Sequence, residues 1–169
     1  MTTWIEDLYH LKETLREGWK RIGIENPESV TDHSYAVALI AWRLARENGL
    51  DERRVLLMSL LHDFHEARLG DIPSPDKRAM GMDVVLKAEQ DTEADQWAGD
   101  NEILDLLADL RDQQSEEARL VGAVDGFEML LQARRYVDQG HTAAEEFISS
   151  VLNSPAAKHP SIAKLIREL

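Results

Sequence analysis

A chain of 169 residues with 43% hydrophobic content is long enough to bury a sizeable core and falls within the range of one domain. It has no cysteine, which excludes disulfides, thiolate metal sites and cysteine nucleophiles, so a metal ion would need His and carboxylate ligands. A formal net charge of −13 argues against a nucleic-acid backbone as partner. No run approaches the length of a membrane span, and the N-terminus lacks the pattern of a signal peptide. The expectation is a cytoplasmic chain without a membrane partner.

In chain order, Ile5, Leu8, Leu11 and Leu15 recur at helical spacing and predict a helix from Thr3 to about Arg16, stopped by Gly18. Residues 18–30 read as a polar loop packed down by Trp19, Ile22 and Ile24. Thr31 is read as the N-cap of a helix that runs to Asn48 with Val37, Ile40, Ala41 and Leu44 inward and His33 in its first turn. The next helix starts at Asp51 and ends around His65, followed by the Gly70–Pro73 turn and by Pro73-Ser74-Pro75, which cannot continue a helix. Helices follow over about 83–97, 101–112 and 115–138, then two shorter ones over about 142–152 and 161–169. No strand alternation, repeat or linker interrupts them. The reading is one all-α domain, residues 1–169, of about seven to eight helices.

The stretch SLLHDFHEARLGDIP, residues 59–73, concentrates the chemistry. An apolar helical run carries His62 and Asp63 side by side, Glu66 follows one turn after His62, and Asp71 arrives in a turn. Charge in an apolar setting must be paired or bound to metal. The bland alternative for the stretch is a helix terminus with ordinary capping and surface polar groups. His33 taken alone reads as a helix-terminal surface histidine, and Asp125, amid Val121, Val124 and Phe127, as a solvated carboxylate.

Together these residues carry a resemblance. The order His33, then His62-Asp63, then Asp125 resembles the HD-domain metal-dependent phosphohydrolases, and most closely their small 5′-deoxynucleotidase branch. Three segments bear it: GWKRIGIENPESVTDHSYAVA from Gly18, LLHDFHEARLGDIP from Leu60, and VDGFEMLLQARRY from Val124. The resemblance implies an HD-domain helical bundle and a divalent metal ion held by His33, His62, Asp63 and Asp125. Mn²⁺ or Co²⁺ leads, ahead of Zn²⁺, Ni²⁺, Fe²⁺ or Mg²⁺. Two imidazoles and two carboxylates suit such an ion with open positions left over.

By the same resemblance, Glu66 orients or activates the attacking water, and Asp71 reads the sugar near the missing 2′-hydroxyl. The structural alternatives are a partner that fixes a histidine ring for Glu66 and a turn former for Asp71. Trp19 resembles a residue that shapes the substrate pocket, with a core staple as its alternative. Arg16 and Lys77 are the candidate phosphate-binding cations. The implied reaction is hydrolysis of a 5′-deoxynucleoside monophosphate by a homodimer. Hydrolysis of triphosphates or another phosphoester, or a non-catalytic nucleotide-binding module, stand as alternatives. Two departures bear on substrate identity: His65 replaces a small residue common in relatives, and Gly126 follows Asp125 inside a helix, where glycine costs up to about 1 kcal/mol against alanine.

Overall fold

The computed structural model describes residues 3–169, so Met1 and Thr2 of the expected domain span lie outside the described residues. The described residues form eleven α-helices: α1 Thr3–Glu13, α2 Glu17–Arg21, α3 Val30–Asn48, α4 Glu52–Leu61, α5 Glu66–Leu69, α6 Ser74–Met80, α7 Met82–Gln96, α8 Asn101–Asp112, α9 Glu116–Asp138, α10 Glu145–Leu152 and α11 Pro160–Glu168. Short 3₁₀ turns at Thr142–Ala144 and Ala156–Lys158 join the last three. The all-α expectation holds. The helix count exceeds it because α2, α5 and α6 are too short to leave a period in the sequence.

The centre is a layer of α3, α4 and α9, with α8 and α11 closing its sides. Its core joins Val37, Ala41 and Leu44 of α3 to Val55 and Met58 of α4 and to Val121, Val124 and Phe127 of α9. These stripes are the ones the spacing predicts. A second, smaller core gathers Trp19, Ile24, Ala133, Tyr136 and Ala144 under α2.

Local signals set where α3 and α4 begin. The α3 N-cap is Ser29, not Thr31. Asp32 N donates to Ser29 Oγ at 3.1 Å and Ser29 N donates to Asp32 Oδ2 at 2.9 Å, a reciprocal capping box. That box fixes the first turn and so aims His33. Asp51 caps α4 as expected, accepting from the backbone of Arg53 and Arg54.

Three boundaries differ from the sequence reading. α1 stops at Glu13 because the next residues turn extended: Arg16 N donates to Glu28 O at 3.1 Å and Val30 N to Thr14 O at 2.9 Å. Gly18 then lies inside α2, where a Cβ would stand 3.4 Å from the Phe147 ring. α4 ends at Leu61 rather than His65, since the chain tightens to i−3 bonds at Phe64 and Glu66 before α5. Pro73-Ser74-Pro75 opens α6, where the fixed proline φ suits a first turn.

Gly126 has a packing reason. A Cβ there would stand 2.9 Å from Ala156 Cβ, so its absence lets the Ala156 turn press against α9 beside the site. Gly126→Ala is expected to destabilise the fold by about 1–2 kcal/mol, overpacking outweighing the helix-propensity gain. Urea unfolding measures it, and a stabilised variant would contradict the close contact.

Candidate metal and substrate site

α3, the α4–α5 turn and α9 bring His33, His62, Asp63 and Asp125 together. His33 is fully buried. Its Nδ1 lies 2.6 Å from Glu128 Oε2, and the carboxylate accepts, so Nδ1 carries the proton. His62 Nδ1 donates to the Ser59 carbonyl at 2.8 Å, which fixes the same tautomer. Both Nε2 lone pairs therefore face inward, 3.3 Å apart. Asp125 Oδ1 stands 3.1 Å from His33 Nε2, and Asp63 Oδ2 stands 3.1 Å from His62 Nε2.

Three of these acceptor atoms, from His33, His62 and Asp63, thus converge, and Asp125 joins them through His33. Lone pairs at such distances repel unless a cation or a proton lies between, and the nitrogen-and-oxygen set suits a borderline divalent ion. Ligand atoms of His33, His62 and Asp63 all fall within 4.8 Å of one another, so the cluster could hold a metal ion. The proton response agrees in sign. Burial and Arg16 oppose a charge on His33, yet the imidazolium form, with a proton on each ring nitrogen, donates to Asp125 and Glu128, which holds its pKa up at about 9, a proton then taking the place a cation would fill. Burial likewise opposes the Asp63 charge, but His62, Arg16 and His33 keep that carboxyl well below its usual range.

Glu128 is the residue the sequence reading misses. It lies one turn after Asp125 on α9, is buried, and holds the His33 ring through Nδ1. A carboxylate behind a ligating histidine fixes its tautomer and raises its basicity. The signal was an i, i+3 partner of Asp125, which a glutamate in a long helix does not advertise.

Glu66 opens α5 buried, and its Oε2 has no hydrogen-bond partner. Burial, Asp63 and Asp71 push its carboxyl well above the usual range, against the pull of Arg16 and Lys77. Asp71 spends Oδ2 on the backbone N–H of Glu17 at 2.5 Å, which ties the Gly70–Pro73 turn to the start of α2. Arg16 points a guanidinium at Asp63, 3.5 Å away, and four surrounding carboxylates hold its proton on against burial.

Trp19 is 1% exposed, donates Nε1–H to Glu28 Oε1 at 2.9 Å, and packs its ring on Phe147 and Tyr136. It is a core staple whose edge also lines the cavity. Lys77 lines the same cavity, and its Nζ donates to Glu89 Oε1 at 2.7 Å. His65 does not line it; the ring faces Glu89 and Glu93 of α7.

The cavity has a volume of about 580 Å³. Asp63, Glu66 and Asp125 stand on its wall with Arg16 and Lys77. Gly126, Met129 and Phe147 add an apolar surface. That volume suits a small-molecule ligand with one anionic end.

A family model described as the HD domain matches residues 8–166. The chain belongs to the HD-domain family. Among curated relatives, the mouse (Mus musculus) 5′-deoxynucleotidase HDDC2 is 32% identical over 94% of this chain and 81% of its own. The Dictyostelium discoideum 5′-deoxynucleotidase HDDC2 is 33% identical over 94% and 90%. Among solved structures, a conserved hypothetical protein from Pyrococcus furiosus superposes with a TM-score of 0.83 at 28% identity, covering 99% of this chain and 95% of that one. The PH0347 protein of Pyrococcus horikoshii gives 0.79 at 31% identity, covering 94% and 92%.

Proposed function

We propose that this chain is a metal-dependent phosphomonoesterase that hydrolyses 5′-deoxynucleoside monophosphates to deoxynucleoside and phosphate. The buried, unpartnered Oε2 of Glu66, set in a cavity wall with Asp63 and Asp125 and beside the His33, His62 and Asp63 cluster, carries this reading. The names of the relatives support the substrate class. His33, His62, Asp63 and Asp125 are the metal ligands, with Mn²⁺ or Co²⁺ as the ion expected. A divalent ion held there supplies Lewis acidity toward a phosphoryl oxygen.

The chain's own residues do the rest. Glu66 Oε2 accepts the proton of the attacking water, and burial with Asp63 and Asp71 beside it raises the proton affinity of that carboxylate. Arg16 and Lys77 offset the phosphate charge, Arg16 with a fork that fits two oxygens. Glu128 and the Ser59 carbonyl hold the two imidazoles in the tautomer that leaves Nε2 free. Trp19, through Phe147, keeps the wall that meets the nucleoside in place.

Asp71 reads the sugar. With Oδ2 committed to Glu17 N, its carboxylate is fixed in the cavity wall, and a 2′-hydroxyl placed against it must disturb that bond. Asp71→Ala is expected to narrow the deoxy-over-ribo preference several-fold without abolishing turnover. The comparison is kcat/KM for a deoxynucleotide and its ribo analogue in both proteins. Equal ratios in parent and variant would remove Asp71 from sugar reading.

The proposal extends to one HD domain over residues 1–169, working as a homodimer in the cytoplasm without a nucleic-acid or membrane partner. The net charge of −13 supports the absence of a nucleic-acid partner. Among the described residues, no helix is long and apolar enough to cross a membrane. Tyr35 and Leu39, one turn apart and exposed on α3, offer apolar surface for self-association, which sedimentation would read.

A further inference from the structure

Lys77 sits on α6, seven residues long with none of them buried. Such a helix does little to hold a long, rotamer-rich side chain in one place. The bond to Glu89 Oε1 does, and among the described residues it is the hydrogen bond Lys77 Nζ makes. Behind Glu89 stands His65, its side chain 8% exposed, with Nε2 3.6 Å from Glu89 Oε1 and Nδ1 3.8 Å from Glu93 Oε1. Neither ring nitrogen has a hydrogen-bond partner. Arg111 of α8 pairs with Glu93 in turn. A row of polar side chains, Lys77, Glu89, His65, Glu93 and Arg111, runs from the cavity wall through α7 to α8.

At the cavity end of that row, burial works against the Lys77 charge, but the Glu89 bond and then Asp63 and Glu66 hold the proton on, so the ammonium lies within their field. Glu89 feels the other side of the arrangement. Burial opposes its charge, but His65 and Lys77 prevail and bring its pKa to about 2. An ammonium has three donors, and Glu89 takes one. Two remain for phosphate oxygens.

We propose that Glu89 is a positioning residue: its carboxylate, seated against His65, holds the Lys77 ammonium in the cavity wall where the substrate phosphate enters. Naming the phosphate rests on the phosphomonoesterase reading above. It also gives His65 a place, as the wall that keeps the Glu89 carboxylate turned toward α6.

The test compares four variants, Glu89→Ala, Glu89→Gln, Lys77→Met and the Glu89→Ala/Lys77→Met pair, in metal-loaded full-length protein. Steady-state kinetics on a deoxynucleoside monophosphate is one readout, and calorimetric titration with inorganic phosphate is the other. Glu89→Ala is expected to raise KM and weaken phosphate binding about tenfold, the low end for a charged hydrogen bond, with kcat within about threefold. Glu89→Gln keeps an acceptor for Nζ and recovers most of that loss. In the Lys77→Met background, Glu89→Ala changes neither readout by more than about twofold, because the residue it positions is gone. An undiminished loss in that background, or a fall in kcat at unchanged KM, would overturn the proposal. If the parent cleaves no deoxynucleotide, the substrate reading fails, and the phosphate titration still decides the role of Glu89.

Discussion

Exchanging Glu66 for glutamine is expected to leave the metal in place and remove about 10²–10⁴-fold of turnover, the usual contribution of a general base. The side chain keeps its shape, so the α5 start and the Asp63 turn stay folded. What is lost is the basic oxygen. Glu66 Oε2 is buried without a partner, and burial, Asp63 and Asp71 all raise the proton affinity of that carboxyl. An orphaned acceptor of this kind costs free energy in the resting fold, typically about 1–3 kcal/mol. A site for an incoming water explains why it stands there. Metal content by elemental analysis and kcat by phosphate release are the two measurements. A variant that turns over at the parent rate would reduce Glu66 to a support for a histidine ring.

The second large effect is on the metal. Asp125→Ala removes one of the four proposed ligands and leaves His33 Nε2 without its partner 3.1 Å away. Metal affinity should fall by about 100-fold or more, well beyond the 10–100-fold expected for Glu128→Ala, which acts through the His33 ring. Stability should follow. A ligand at 100 times its Kd adds about 2.7 kcal/mol to the native state, and the variant loses most of that at the same metal concentration. Thermal unfolding with and without added Mn²⁺ or Co²⁺ reads the difference. A parent protein that stays empty after incubation with Mn²⁺, Co²⁺, Zn²⁺ and Ni²⁺ would contradict the centre altogether.

The stripes of α3, α4 and α9 are legible in the sequence because long amphipathic helices repeat their period several times. Val37, Ala41 and Leu44, or Val121, Val124 and Phe127, need no structure to be placed inward. The histidines and aspartates are legible as a set through the resemblance their order bears to the HD-domain family, whereas each taken alone reads as an ordinary surface or capping group. Glu128 was not, because one glutamate among many on an acidic chain carries no mark until His33 Nδ1 is seen against it.

The capping box at Ser29 and Asp32 was written in the sequence, yet Thr31 next to it reads as an equally good cap. Three-dimensional packing alone explains other positions. Gly126 is a defect in a helix until Ala156 is found against it, and Gly18 is a stop signal until Phe147 is. His65 follows the same pattern. Its neighbours in sequence place it at the pocket, and after the tight turn a ring nitrogen does stay within 4.8 Å of carboxylate oxygens of Asp63 and Glu66, yet the ring also faces Glu89 and Glu93 of α7 and does not line the cavity it was expected to reshape.

Phosphate release from a panel of 5′-deoxynucleoside mono- and triphosphates, by protein loaded with Mn²⁺ or Co²⁺ and by the same protein in chelator, tests the central claim most directly. Deoxynucleoside and phosphate in equal amounts from monophosphates, abolished by chelator, is the predicted result. Release from triphosphates with none from any monophosphate would contradict it.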